Sequence, residues 1–308
     1  MTNTPSSSIL LTRFVEIEQT KLYSTIQHRR GSFERDGYLK FEGFLSQQEI
    51  FELLAFLEQI KKEKQKNDII NPPAFRALSE SKVLEALRKS CFGAELFGAT
   101  GNIDTIGHGL HYIPGSPFEK LIRENYKLKV LIQQFTDLRV PLAVQTKAIL
   151  KPAKTGSRVP PHTDEQYIFT KPTSGLALWI ALDDSKVSNG CVEVVPGSHN
   201  IFEQGQRFSV PLNESKALWI TPDDTGGANK KPFPYLKKDI EDLNWFPVEV
   251  RSGDCLIMDV RLLHASSPNT SKFSRKAFTI HVVDGLCEWD PANWIIPHPD
   301  LGFEKCKI

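Results

Sequence analysis

The sequence predicts a mainly β domain with flanking helices, its strands paired antiparallel and packed as a sandwich or barrel. Three observations carry this expectation. Apolar residues keep helical spacing only in the N-terminal part of the chain, and after Arg139 the sequence breaks into short apolar segments bounded by Pro, Gly, Asn and Asp. No helical pattern alternates with those segments, as a parallel sheet would require.

Residues 1–32 read as an N-terminal extension, opening on MTNTPSSSILLT, which is small, polar and aperiodic. The turn dipeptide Asp36-Gly37 precedes a short strand, Tyr38-Leu39-Lys40-Phe41. Phe44-Leu45 then leads into Ser46-Gln47-Gln48-Glu49, a capping-box pattern that should open a helix. Ile50, Leu53, Leu54, Leu57 and Ile60 share one face of it, and the lysine-rich end at Lys61 to Lys66 suits the negative pole of the helix dipole as a solvated terminus. Ser116-Pro117-Phe118-Glu119 combines an N-cap, a proline at the first helical position and a capping glutamate, so a second helix is expected to carry Leu121, Ile122, Leu128, Leu131 and Ile132. Strands are expected at 141–150, 176–182, 191–195, 247–250, 254–260 and 277–283. Between about 200 and 245 lies a polar stretch containing Thr225-Gly226-Gly227-Ala228-Asn229-Lys230-Lys231-Pro232, expected as a long insertion over the barrel mouth. No internal repeat is visible, and residues 1–308 read as a single domain.

A chain of 308 residues buries a substantial core without crosslinks, and 38 Lys and Arg against 37 Asp and Glu leave no electrostatic footprint for nucleic acid. No apolar run approaches the length needed to span a bilayer. Cys91, Cys191, Cys255, Cys287 and Cys306 are odd in number, widely spaced and form no CxxC pair, which fits a reducing compartment. A cytoplasmic location is expected. Peroxisomal targeting is a minor alternative, because Lys21-Leu22 and His28 only loosely match an N-terminal address, with Arg29 in place of Leu or Ala, and Lys305-Cys306-Lys307-Ile308 is no C-terminal one. The oligomeric state is not encoded in any motif.

The chemistry begins at Pro160-Pro161-His162-Thr163-Asp164. On an extended strand, residues i and i+2 share a face, so the His162 imidazole and the Asp164 carboxylate can converge on one ion. An HxD triplet alone is weak, and His298-Pro299-Asp300 is another, with no later histidine to complete it. The first triplet gains weight from Val260-Arg261-Leu262-Leu263-His264, which ends an apolar segment on a histidine, and from Arg275 eleven residues further on. Two histidines and a carboxylate leave three sites of an octahedral ferrous ion open for dioxygen and a chelating co-substrate. If the segments around His264 and Arg275 pair as neighbouring strands, the guanidinium enters the same pocket and can clasp the distal carboxylate of 2-oxoglutarate in a bidentate fork.

The chain closely resembles the phytanoyl-CoA dioxygenase family, particularly its short domain-containing members, from about Phe33 to Trp294. The marks are Phe33-Glu34-Arg35-Asp36-Gly37-Tyr38, Ile106-Gly107-His108-Gly109-Leu110-His111, Pro161-His162-Thr163-Asp164, Leu178-Trp179-Ile180-Ala181-Leu182-Asp183-Asp184, Asn189-Gly190-Cys191, Pro196-Gly197-Ser198-His199 and the His264 to Arg275 spacing. The resemblance implies a double-stranded β-helix, a cupin-like jelly roll. It implies His162, Asp164 and His264 as iron ligands, and co-substrate contacts from Trp179, Ser274 and Arg275, with Lys147 facing the same pocket. One position departs from the pattern. Close relatives carry a co-substrate-binding lysine just before the Ile106-Gly107-His108 segment, where this chain has Thr105, and Lys147, at a position apolar in relatives, is expected to substitute for it.

Other candidates have plainer readings. The His108/His111 pair lacks a third ligand at suitable spacing, His199 closes a turn, His281 reads as a satisfied core histidine, Asn189-Gly190 as a hairpin turn, and Trp179 serves equally as barrel core. Three functions compete: a 2-oxoglutarate-dependent dioxygenase hydroxylating a small organic or acyl substrate, a metal- and oxoglutarate-binding sensor of the same fold without turnover, and a zinc hydrolase. Arg275 disfavours the hydrolase, which needs no carboxylate anchor, and Asp164 disfavours a halogenase, whose chloride would occupy that site. No basic cluster awaits an acyl-CoA-like diphosphate, although Lys230, Lys231, Lys237 and Lys238 of the insertion could reach one.

Overall fold

The structure, a computed structural model, describes residues 26, 28–66, 95–97, 103–107, 109–201, 207–209, 218–220, 242–293 and 295. Helix α1 (Arg30–Asp36) ends at Gly37, whose φ of 78° is left-handed and whose N–H returns to the Phe33 carbonyl. Strand β1 (Tyr38–Phe41) follows, then α2 (Gln47–Lys66), whose capping box forms as expected: the Ser46 N–H donates to the Glu49 carboxylate at 2.8 Å and the Glu49 N–H to the Ser46 hydroxyl at 3.3 Å. After β2 (Glu95–Phe97) and β3 (Ile103–Ile106) come two helices, α3 (Pro117–Glu124) and α4 (Tyr126–Phe135), where the sequence predicted one. The break falls at Asn125, which is extended and accepts the Leu128 N–H on its side chain at 3.1 Å, capping a new helix instead of continuing the old one.

The remaining elements are β4 (Pro141–Ile149), β5 (Val159–His162), β6 (Thr170–Lys171), β7 (Leu176–Ala181), β8 (Val192–Val194), α5 (Ser198–Ile201), β9 (Arg207–Ser209), β10 (Leu218–Ile220), β11 (Phe246–Val248), β12 (Cys255–Asp259), β13 (His264–Ser266), β14 (Ala277–Asp284) and β15 (Glu288–Trp289). Two antiparallel sheets make the jelly roll: a seven-stranded one ordered β1-β12-β7-β14-β4-β3-β2 and a four-stranded one ordered β11-β8-β13-β5. This is the expected mainly β architecture with flanking helices, a double-stranded β-helix.

The central strands are buried on both faces, which explains their continuous apolar sequence. Leu178 and Ile180 of β7, with Phe278, Ile280 and Val282 of β14, face a core shared with α2, α3 and α4, where the Phe118 and Phe278 rings lie 4.7 Å apart. Their alternates Ala177, Trp179, Ala181 and Ala277 face the four-stranded sheet. Polar residues interrupt this second face at Thr279 and His281, and that interruption locates the site.

Of the expected insertion, β9 and β10 are described as an antiparallel pair. Residues 202–206, 210–217 and 221–241, with the four lysines, lie outside the described residues, as do Cys91, Cys306, His108, His298 and Asp300. Among the described residues no helix is long and apolar enough to cross a membrane.

Candidate metal and co-substrate site

Strand register brings the site together. His264 on β13 pairs directly with His162 on β5, and their rings stand 4.2 Å apart. Asp164 follows β5 at the start of a single 3-10 turn held by a capping box between Thr163 and Gln166, which fixes its carboxylate beside both rings. Asp164 Oδ1 lies 3.9 Å from His162 Nε2 and 3.8 Å from His264 Nε2. One ligand atom from each residue falls within 4.8 Å of the others.

Backbone carbonyls set both tautomers. His162 Nδ1 lies 2.9 Å from the Pro160 oxygen and His264 Nδ1 3.0 Å from the Leu262 oxygen. A carbonyl only accepts, so each Nδ1 carries the proton and each Nε2 presents a lone pair to the common centre. Burial, reinforced by His264, pushes the His162 imidazolium down to about 3, so the ring is neutral. Burial opposes ionisation of Asp164, yet the facing His281 and His264 hold its carboxyl below the usual carboxylate range. Two imidazole nitrogens and a carboxylate oxygen converging at this spacing match the donor set of a divalent transition metal.

The same cavity, about 140 Å³, is lined by Thr105, Lys147, Trp179, Ser266, Arg275 and Thr279 beside the metal-ligand cluster. Lys147 on β4 and Trp179 on β7 both pair with Thr279 on β14, forming one row across the sheet. Arg275 is only 1 % exposed, its guanidinium lies 5.1 Å from the Trp179 ring centre, and its Nε and Nη1 have no hydrogen-bond partner among the described residues. Burial lowers its pKa to about 10, so it stays charged at neutral pH. A buried guanidinium with unsatisfied donors fits a carboxylate placed against one of its edges.

Three expectations need correction. His264 and Arg275 share the cavity but not a strand pair: β13 belongs to the four-stranded sheet and β14 to the seven-stranded one, so they meet across the gap between sheets. Ser274, expected against the co-substrate, lies elsewhere. Its hydroxyl donates to Asp183 Oδ2 at 2.8 Å, because a strand that aims Arg275 inward turns its neighbours outward. The serine that does line the cavity is Ser266, two residues after His264 and on its face; the His-x-Ser alternation could have shown it. His281, read as plain core, places Nε2 3.3 Å from Asp164 Oδ2. Its even spacing from Arg275 and Ala277 was the available signal. Lys147, by contrast, stands in the cavity together with Thr105.

His111 is buried with Nδ1 2.7 Å from Thr146 Oγ1, and burial lowers its pKa to about 3, so it serves local structure. His199 bonds the Glu34 carbonyl at 3.1 Å, as a turn residue should. Tyr167 stands edge-on to His162 at 5.8 Å and meets Phe208 of β9 at 5.8 Å, so one ring links β9 to the metal-ligand cluster.

Comparison with known proteins agrees with this geometry. A phytanoyl-CoA dioxygenase of Arabidopsis thaliana is 30% identical over 278 residues, covering 85% of this chain and 90% of the relative. The mouse (Mus musculus) phytanoyl-CoA dioxygenase domain-containing protein 1 is 28% identical over 291 residues, covering 88% and 94%. The fold matches that of the epimerase SnoN, solved with Fe3+, alpha ketoglutarate and nogalamycin RO, at TM-score 0.61 and 18% identity over 91% of this chain and 92% of that one. It also matches EctD from S. alaskensis, solved with 2-oxoglutarate and 5-hydroxyectoine, at TM-score 0.54 and 17% identity over 85% and 77%. The profile of phytanoyl-CoA dioxygenase matches residues 33–277, and the chain belongs to that family.

Proposed function

We propose that the chain is a non-haem iron(II), 2-oxoglutarate-dependent dioxygenase that hydroxylates a small organic or acyl substrate. The observation that carries this reading is the presence, in one buried cavity, of a two-histidine, one-carboxylate cluster and a fully buried arginine with unsatisfied donors. A zinc hydrolase would have no use for that arginine. His162, Asp164 and His264 would hold ferrous iron on one face and leave three positions open. Iron bound there supplies oxidative decarboxylation of 2-oxoglutarate to succinate and carbon dioxide, coupled to insertion of the second atom of dioxygen into a substrate C–H bond.

The chain's own residues bind and orient. Arg275 clasps the distal carboxylate with one edge of its guanidinium, Trp179 flanks the carbon chain, and Lys147, in the same row, supports the negative charge of the co-substrate in place of a cation at Thr105. Burial excludes water from this end, so each of these contacts acts at low dielectric. The substrate enters from the Tyr167 and Phe208 side. The test is succinate formation by the ferrous protein, with candidate substrates that include an acyl-CoA and the matching free acid in parallel. Stimulated succinate release identifies the substrate class, and failure of the wild-type protein to bind 2-oxoglutarate would remove the oxygenase reading.

A further inference from the structure

Lys151 follows β4 and plays no part in the site described so far. It is 2 % exposed, and its φ of 29° is one that L side chains rarely adopt. Its side chain threads between two glycines. A Cβ on Gly156 would stand 2.5 Å from Lys151 Cγ, and one on Gly190, whose φ is 75°, would meet the Ser267 carbonyl oxygen and stand 2.8 Å from Lys151 Cε. The chain thus holds a buried lysine in a strained backbone conformation, packed against two glycines.

Both ends of this residue lead to the co-substrate pocket. The Lys151 carbonyl accepts the Arg275 N–H at 3.1 Å and the Asn269 side-chain amide at 3.1 Å, fixing the backbone from which the guanidinium projects. Its Nζ donates to Ser266 Oγ at 2.7 Å. Ser266 Oγ is the acceptor in this bond, and its own O–H is left to donate elsewhere. Ser266 lines the cavity together with Arg275. Resting on the oxygenase reading above, we propose that Lys151 is a positioning residue that orients and polarises the Ser266 hydroxyl toward the distal carboxylate of 2-oxoglutarate, making the pocket selective for a dicarboxylate.

The test measures binding to the ferrous protein without dioxygen, by calorimetry, using 2-oxoglutarate and 2-oxopentanoate, which lacks the distal carboxylate. Lys151→Met should weaken 2-oxoglutarate about tenfold, the scale of one charge-assisted contact, and leave 2-oxopentanoate within about twofold of wild type. Ser266→Ala should show the same selective loss, and adding Lys151→Met to it should cost little more, because both remove one directed hydroxyl. The proposal is overturned if Lys151→Met weakens both ligands equally, if neither variant changes 2-oxoglutarate binding, or if the two losses add in full. Should Lys151→Met not fold, Ser266→Ala still decides: binding of 2-oxoglutarate equal to wild type overturns it. A wild-type protein that binds no 2-oxoglutarate defeats the oxygenase reading as well, whereas normal wild-type binding with unmoved variants defeats this inference alone.

Discussion

The Nε2 atom of His281 lies 3.3 Å from Oδ2 of Asp164, the carboxylate oxygen that does not face His162 and His264. A donor there occupies Oδ2 and leaves Oδ1 for the ion, so one oxygen of the carboxylate, and not both, is presented to the metal. Partners of this kind typically contribute about 10–100-fold in metal affinity. His281→Phe should therefore weaken ferrous binding by about that factor, while His281→Gln, which retains an N–H donor, should recover most of it. Competition with a chelator measures both, and an unchanged affinity in His281→Phe would show that the contact does not hold the ligand.

Removal of a ligand itself should be more severe. His162→Ala, Asp164→Ala and His264→Ala are each expected to abolish oxoglutarate turnover, because among the described residues these three groups form the metal-ligand cluster. Thermal unfolding of the metal-free variants should stay close to wild type. Full turnover in His264→Ala would sink the metal assignment.

Arg275 separates co-substrate binding from metal binding. Its fork can hold a carboxylate through two parallel bonds worth about 1.5–3 kcal/mol each, a geometry the point charge of lysine does not copy. Arg275→Lys should raise the KM for 2-oxoglutarate about tenfold to a hundredfold, and Arg275→Ala by more. Lys147→Met should raise it less, since one point charge is lost and the fork remains. Paired titrations of iron and oxoglutarate on each variant decide the matter: iron affinity without co-substrate should not move in Arg275→Ala, and an unchanged oxoglutarate dependence there would place the anchor elsewhere.

The helix-facing core makes a prediction about stability. Phe278 is fully buried against Phe118, so Phe278→Ala should destabilise the fold by about 3–5 kcal/mol, read from the denaturant midpoint. The loss comes from contacts with α3 and not from the cavity. Ferrous affinity of the folded fraction should accordingly be retained, and a collapse of metal binding at full foldedness would contradict the separation of the two faces of β14.

The sequence by itself determined the mainly β class, the capping of α2 at Ser46 and Glu49, and the metal cluster. The first two are local signals, short apolar segments bounded by turn residues and a reciprocal hydrogen bond three residues apart, and the cluster was legible from the His162-x-Asp164 triplet together with the family resemblance that supplied His264. Trp179, Lys147 and Arg275 were legible through family resemblance, and register then placed Trp179 and Lys147 in one row through Thr279. What only the tertiary structure decided depends on which strands lie opposite one another. Asn125 could not be read as a helix break, because an amide at that point is equally at home within a helix or as the cap of the next. His281 looked like core because nothing local distinguishes a buried histidine facing apolar residues from one facing a carboxylate brought in from another sheet. Ser274 and Ser266 exchanged places for the same reason: the side a strand residue faces depends on the strand's register in the sheet, and register is fixed by partners far away in the chain.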